Sequence, residues 1–324
     1  MAESVDTNQH ISIDIDLDEE TDSESSYGNE ISVYSASLSS SVKNFEFRHG
    51  RRYHSYQSGS YQFPNDEAEQ DRLDMFHHAL VHIAAGGKLF FAPIEDFQGF
   101  RVLDIGTGTG IWAVEMGDRY PSAELILGND LSPIQPPWVP SNVKFIVDDI
   151  EAGWAHGPPF DFIHSRYMAA SIKDWPGLMK QCYDNLKPGG WVEFQDYESP
   201  IYTEDGSLSP ESNVVKMQTL LDEACQKMGR DLNPGPKLER WVKDAGFINV
   251  KTHILKLPIG PWPKDKKLKE LGAFLILQYT EGIDAFTNAP FTQILGWKKD
   301  ELDVFNAKVK ADALDRKVHA MNNL

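Results

Sequence analysis

Positive charge and cysteine are what this 324-residue chain has least of. It carries 31 Lys and Arg against 49 Asp and Glu, a net charge of −18. Binding to a phosphate backbone draws on counterion release by clustered Lys and Arg. The one basic cluster, "RHGRR" at 48–52, is short, so direct nucleic-acid binding is not expected. Only two cysteines occur, Cys182 and Cys225. That spacing makes no disulfide framework and no zinc motif, and fits two reduced thiols of an intracellular protein. No stretch approaches the ~18 to 20 unbroken apolar residues of a membrane span. The N-terminus is acidic and hydroxyl-rich rather than basic then apolar, so it does not read as a secretory signal. A cytoplasmic or nuclear location is expected, with no membrane contact.

Residues 1–44 are rich in Ser, Asp and Glu with few large apolar side chains. Such a stretch cannot offset its ordering entropy and is expected to be a disordered acidic tail. Its alternating "SIDIDLDEE" is not expected to form an isolated strand. Structure is expected from Phe45. The stretch "PNDEAEQDRLDMFHHALVHIA" opens with proline and acids and spaces Leu73, Phe76, Leu80 and Ile83 by three or four. That pattern predicts an amphipathic helix ended by Gly86 and Gly87. From residue 101 apolar runs alternate with helical patterns: "RVLDI", "AELILGND", "VKFIVDD", "FDFIHS" and "WVEFQDY" read as strands, "GIWAVEMGDRY" and "WPGLMKQCYDNL" as helices, the second closed by "KPGG". The rhythm predicts a doubly wound, mostly parallel α/β sheet. Helices are expected at 210–228 and over "KLERWVKDAGF", a half-exposed strand over "INVKTHILKL", and helical structure from 264 to 324. The expected organisation is a cap at 45–95, a cofactor-binding core at 98–200, and substrate-side helices with a late strand at 201–324.

The most informative stretch is "RVLDIGTGTGIW" at 101–112. In an open α/β sheet, ligands bind beyond the carboxyl ends of the strands, and the first strand-to-helix turn is the usual cradle. A dinucleotide fingerprint counted from Gly106 and Gly108 needs glycine at 111, where Ile111 stands. A Walker turn needs Lys after its last glycine, and none follows Gly110. Asp104, two residues before Gly106, would oppose a pyrophosphate but suits a cation. S-adenosylmethionine, with its ammonium and sulfonium, meets those conditions. Asp130 ends the second strand, placed to grip ribose hydroxyls. Asp148 and Asp149 end the third, with Asp149 favoured for the adenine amino group.

With these residues in place, the chain resembles the fungal LaeA-like, or TAM-domain, methyltransferases. The resemblance runs from about 50 to 320 through "RRYHSY", "YQFPNDEAEQDRLDMFHH", "VLDIGTGTGIWAVEMGDRYPSAEL", "DLSPIQPPWVPSNVKFIVDDIEAGW", "FDFIHSRYM", "WPGLMKQCYDNLKPGGWVEFQD" and "LPIGPWPKD". It implies a class I methyltransferase fold, a helical N-terminal segment packed over the pocket, and a donor pocket at Asp104, Gly106, Gly108, Asp130 and Asp149. Thr107, Leu131, Ile150, Ser165 and Tyr53 complete the expected set. Members divide between tailoring enzymes that methylate small molecules at O or N and a nuclear regulator working with velvet-type proteins. Class I sheets finish with a reversed strand beside the fifth; after "VHAMNNL" this chain is expected to lack it.

A base is needed only if the acceptor must lose a proton. His164, ending the fourth strand, is the candidate base. Arg166 and Tyr167 follow it, and Tyr53 and Tyr61 could stack near the donor. His78 and His82 are four apart on one helix, a ligand spacing, but no third ligand is apparent and no metal is expected. The tryptophans at 112, 138, 154, 175 and 191 fit core and loop anchoring.

Overall fold

The computed structural model describes residues 11–12, 45–54 and 62–324. The expected disorder of the 1–44 tail, and Tyr61, lie outside the described residues, apart from a two-residue strand, β1 (Ile11–Ser12). That strand is not isolated: it pairs with a strand of the central sheet, a tertiary partner that alternation alone does not reveal.

The cap begins with a hairpin, β2 (Glu46–Arg48) and β3 (Arg51–Tyr53), turned through left-handed His49 and Gly50. Helix α1 (Glu67–His78) starts where the Asp66 side chain accepts the Glu69 amide hydrogen, satisfying one of the free N–H groups of the first turn. The helix continues as a π-helical stretch, Ala79–Ala84, and stops at Gly86 and Gly87, both left-handed.

The core follows as β4 (Arg101–Ile105), α2 (Ile111–Arg119), β5 (Leu125–Asp130), β6 (Val143–Val147), β7 (Phe160–Arg166), α3 (Trp175–Asp184) and β8 (Leu186–Gln195). These strands form one sheet in the order β1-β6-β5-β4-β7-β8, parallel except for β1. The expected doubly wound sheet is therefore present. The two-residue period of a strand sends Val102 and Phe162 into one core layer with Trp112 and Met116, and Leu103 and Ile163 into the other with Trp175 and Met179. The order reverses at β4, so a crevice opens beyond the carboxyl ends of β4 and its neighbours.

The chain continues through β9 (Glu198–Tyr202), α4 (Asn213–Lys227), α5 (Gly235–Asp244), β10 (Lys256–Pro258), α6 (Lys266–Ala289), α7 (Lys299–Ala313) and β11 (Met321–Asn323). Four expectations need correction. "KPGG" does not close helix α3 but lies inside β8. Pairing jumps from Phe160↔Leu186 to Phe162↔Trp191 across a bulge that holds left-handed Gly189. Of "INVKTHILKL" only its last two residues enter a strand; Ile248 and Ile254 are 81% and 64% exposed. Left-handed Gly246 and Asn249 break the extended path there, so the alternation meets no sheet edge. The expected helical run over 264–324 ends early: β11 pairs antiparallel with β10 and β9 in a separate three-stranded sheet, and among the described residues no reversed strand lies beside β8. "MNN" carries no apolar alternation to announce it. Trp138, expected as an anchor, is 82% exposed, whereas Trp112 and Trp175 are buried in the core. Among the described residues no helix is long and apolar enough to cross a membrane.

Gly110 holds the start of α2 at φ 80°, and a Cβ there would lie 2.4 Å from the Phe145 ring. Left-handed strain and overpacking together predict a loss of roughly 2–5 kcal/mol for Gly110→Ala. Gly99, at φ 69° with open space around it, supplies the control: Gly99→Ala should lose only ~1 kcal/mol. Urea denaturation of both variants checks the difference.

Candidate active site

The glycine turn sits on a buried carboxylate. Asp104, 3% exposed, ends β4 and accepts hydrogen bonds from Thr107 Oγ1 at 2.6 Å and from His164 Nδ1 at 2.7 Å. The His164 ring, 1% exposed, stacks on Trp112 with centroids 3.8 Å apart and planes 2° from parallel. Both Asp104 oxygens are engaged beneath the crevice, Oδ2 by Thr107 of the turn and Oδ1 by His164 of β7, and the side chain is not part of the crevice lining. His164 lies in the same layer, outside the lining of the crevice, and a base must reach the proton it takes. Its Nδ1 is engaged by Asp104 instead. Gly106, at φ 66°, is required twice over, since a Cβ would lie 2.2 Å from Met168 Sδ.

Above the turn opens a cavity of about 530 Å³, lined among others by Gly106, Thr107, Gly108, Asp130, Leu131, Asp149 and Ile150. Its size suits a ligand pocket. Of the expected donor contacts, Asp104, Ser165 and Tyr53 do not line it. Ser165 is buried at 2% exposure; Tyr53, at 3%, packs in the cap hairpin near Arg48. Their strand positions were readable, but which way each side chain faces depends on the packing around it. Asp130 ends β5 with Oδ2 accepting the Gly108 amide at 2.9 Å and Oδ1 the Ser132 amide at 2.9 Å. Burial pushes its carboxyl up, against the pull of those amides. Asp148, 3% exposed, accepts the Asp149 amide, leaving Asp149 half-buried at the cavity wall.

The roof comes from the cap helix expected over the pocket, but its lining residues were not among the expected donor contacts. Leu73, Phe76 and His77 of α1 line the cavity. Asp74 accepts from Thr109 Oγ1 at 2.6 Å, and Asn65 Nδ2 donates to Ser132 Oγ at 3.2 Å. Glu69 and Arg72, 3% and 2% exposed, form a bidentate pair on the same face as Phe76. Charged residues on the apolar stripe of α1 were the available signal.

Beside the His78–His82 spacing noted in the sequence, the structure gathers His77, His82 and Glu115. His77 Nε2 and His82 Nε2 lie 3.3 and 3.2 Å from Glu115 Oε1. Arg166 Nη2 donates to His77 Nδ1 at 2.6 Å, so the neutral ring carries its proton on Nε2, facing Glu115. That proton occupies the lone pair a metal would need. Burial, then Arg166, drives the His77 pKa down to about 2.

Asp196, just past β8, holds the loop that covers Gly106. It accepts the Met168 amide at 2.8 Å and the Tyr197 amide at 2.8 Å, and burial pushes its pKa up to about 7. Its folded pKa thus exceeds the unfolded value of ~3.9. The stability it contributes is complete below pH ~4 and is lost as pH rises through about 7. Thermal unfolding from pH 5 to 8 should show a steeper fall in Tm for the wild type than for Asp196→Asn.

The methyltransferase-domain family matches residues 75–252. "Methyltransferase pytC" of Aspergillus terreus is 53% identical over 285 residues, 88% of this chain and 87% of its own. "Secondary metabolism regulator LAE1" of Cochliobolus heterostrophus is 36% identical, over 85% of this chain and 91% of its own. "Protein-methionine methyltransferase laeA" of Emericella nidulans is 34% identical, over 86% and 75%. A solved phosphoethanolamine N-methyltransferase 2 from Haemonchus contortus, bound to S-adenosylhomocysteine, is 18% identical over 89% of this chain and 71% of its own, with a TM-score of 0.43. The chain belongs to the LaeA-like family of S-adenosylmethionine-dependent methyltransferases.

Proposed function

We propose that this chain transfers the methyl group of S-adenosylmethionine to an oxygen or nitrogen of a small molecule of secondary metabolism. One observation carries the reading: the crevice beyond β4 is walled by Asp130 and Asp149 around the glycine turn, with Ile111 where a dinucleotide site needs glycine. The departure at Ile111 disfavours a pyrophosphate turn, and the two carboxylates are acceptors suited to an adenosine's ribose hydroxyls and amino group. In this reading Asp130 holds the ribose hydroxyls and Asp149 the adenine amino group, while Gly106 and Gly108 let the backbone approach the donor. The donor supplies an activated methyl group. The protein's part is to align the acceptor and exclude water, and alignment is worth ~7 to 11 kcal/mol. The relative at 53% identity, named a methyltransferase, supports the same reading.

A second reading, a regulator acting through protein partners such as velvet-type proteins, is favoured by the relatives named secondary metabolism regulators at 33–36% identity. Pull-down with the full chain, with and without residues 1–44, tests it; failure to retain any velvet-type protein rejects it.

Titration calorimetry with S-adenosylhomocysteine tests the first reading. Hydrogen bonds to a charged group contribute ~1.5 to 3 kcal/mol each, so Asp130→Ala should weaken binding about 100-fold, and Asp149→Asn by less. Absence of heat with the wild type, or saturable NADH binding, rejects the donor site.

A further inference from the structure

The donor cavity continues into a second one. Glu69, Tyr167 and Ser171 line both; the second has a volume of about 140 Å³. Its wall is mostly aromatic and aliphatic, including Phe63, Tyr197, Leu221, Leu275 and Phe286. An apolar cavity of ~150 Å³ holds a benzene ring, so this chamber has the size of one six-membered ring. Three polar atoms of its lining residues, Arg72 Nη1, Tyr279 Oη and Asn322 Oδ1, are buried without a hydrogen-bond partner. A buried polar atom left unpaired costs ~1 to 3 kcal/mol, which a ligand oxygen would recover.

The charge balance selects the ligand. Arg72 is already committed: its Nε and Nη2 donate to Glu69 Oε2 and Oε1 at 2.8 and 2.5 Å. The pair is neutral, so a carboxylate ligand gains no free counter-charge, whereas a neutral hydroxyl finds a donor in Arg72 Nη1 and an acceptor in Glu69. Glu69 faces Arg72 and Asp66 on its own helix and its cap, Arg51 at 4.0 Å and Tyr53 on β3, and Tyr167 just past β7.

On the donor-site reading given above, we propose that this chamber seats the reacting ring of the acceptor, a neutral phenol or enol, and that Glu69 is the general base. An oxygen lone pair forms the new O–C bond to the donor's methyl carbon as the C–S bond breaks. The C–S electron pair returns to sulfur, leaving S-adenosylhomocysteine. The O–H bond breaks, and its proton passes to a Glu69 oxygen and then to solvent. Because oxygen becomes oxonium-like as the bond forms, its proton turns strongly acidic, and a carboxylate held by arginine suffices as base. Arg72 orients both the carboxylate and the acceptor oxygen.

The test uses the full chain with S-adenosylmethionine and 4-cyanophenol as a neutral single-ring probe, against 4-hydroxybenzoate as its anionic counterpart. Calorimetry on the chain saturated with S-adenosylhomocysteine should show 4-cyanophenol bound and 4-hydroxybenzoate bound at least tenfold more weakly. Glu69→Gln should keep its affinity for S-adenosylhomocysteine, and, since Gln keeps an acceptor oxygen, should weaken 4-cyanophenol binding no more than about tenfold. It should lower kcat for 4-cyanophenol methylation at least 100-fold, within the span of general-base effects. Tyr279→Phe keeps the ring and the fold and should weaken 4-cyanophenol binding about tenfold. No binding of 4-cyanophenol, equal or better binding of the anion, unchanged kcat in Glu69→Gln, or unchanged affinity in Tyr279→Phe each overturns the proposal. Loss of S-adenosylhomocysteine binding by the wild type instead overturns the donor site on which it rests.

Discussion

One buried carboxylate fixes the origin of the site. Asp104 joins the end of β4, the end of β7 through His164, and the glycine turn through Thr107. Trp112, on the first turn of α2, presses its indole flat on the histidine and donates Nε1–H to the Leu89 carbonyl at 2.8 Å. A charge so deep in the protein is tolerable only with every partner in place; removing one partner of a buried pair typically costs ~3 to 5 kcal/mol. The Thr107 amide then reaches the Asn129 carbonyl on β5 at 2.9 Å, and Asn129 Nδ2 donates to the Asp148 carbonyl at 3.2 Å. Strand ends that carry ligand-facing acids are thereby locked to one another from below.

The upper half of the site is assembled differently. Polar side-chain contacts from the cap reach the core at Thr109, Ser132 and Arg166, while Phe76 packs against Tyr167 and Tyr197. Floor and roof therefore belong to chain segments far apart in sequence. The floor is buried and hydrogen-bonded throughout. The roof is held by a few directional bonds over an apolar contact.

What could be read from the residues alone follows this division. The parallel strands, the glycine turn and the acids at strand ends are local patterns, and period and spacing reveal them. Left-handed Gly106, Gly108 and Gly110 follow from the same stretch. Side-chain direction is not local. Asp104 and His164 sit at the strand ends where ligand-facing groups are found, yet both point into the layer below. Glu69 and Arg72 stand in line with Phe76 on α1, but only the packing of Tyr167 and of Phe286 on α6 over Arg72 shows that the pair is buried. The final strand, "MNN", has no apolar pattern, and 248–257 has one without the sheet partner that would use it.

The edge of the main sheet has a consequence for how the molecule behaves in concentrated solution. β8 is the terminal strand, with no neighbour on its outer side among the described residues. An unpaired parallel edge offers backbone groups to any other chain and invites self-association. Here the bulge at Gly189 and Gly190 distorts the first half of that edge, Lys187 sits on it paired to Asp161, and 246–255 runs beside it with a groove between. The irregular 246–255 segment, which forms no ladder with β8, thus flanks that edge across the groove, while the regular second half of β8 leads into Asp196.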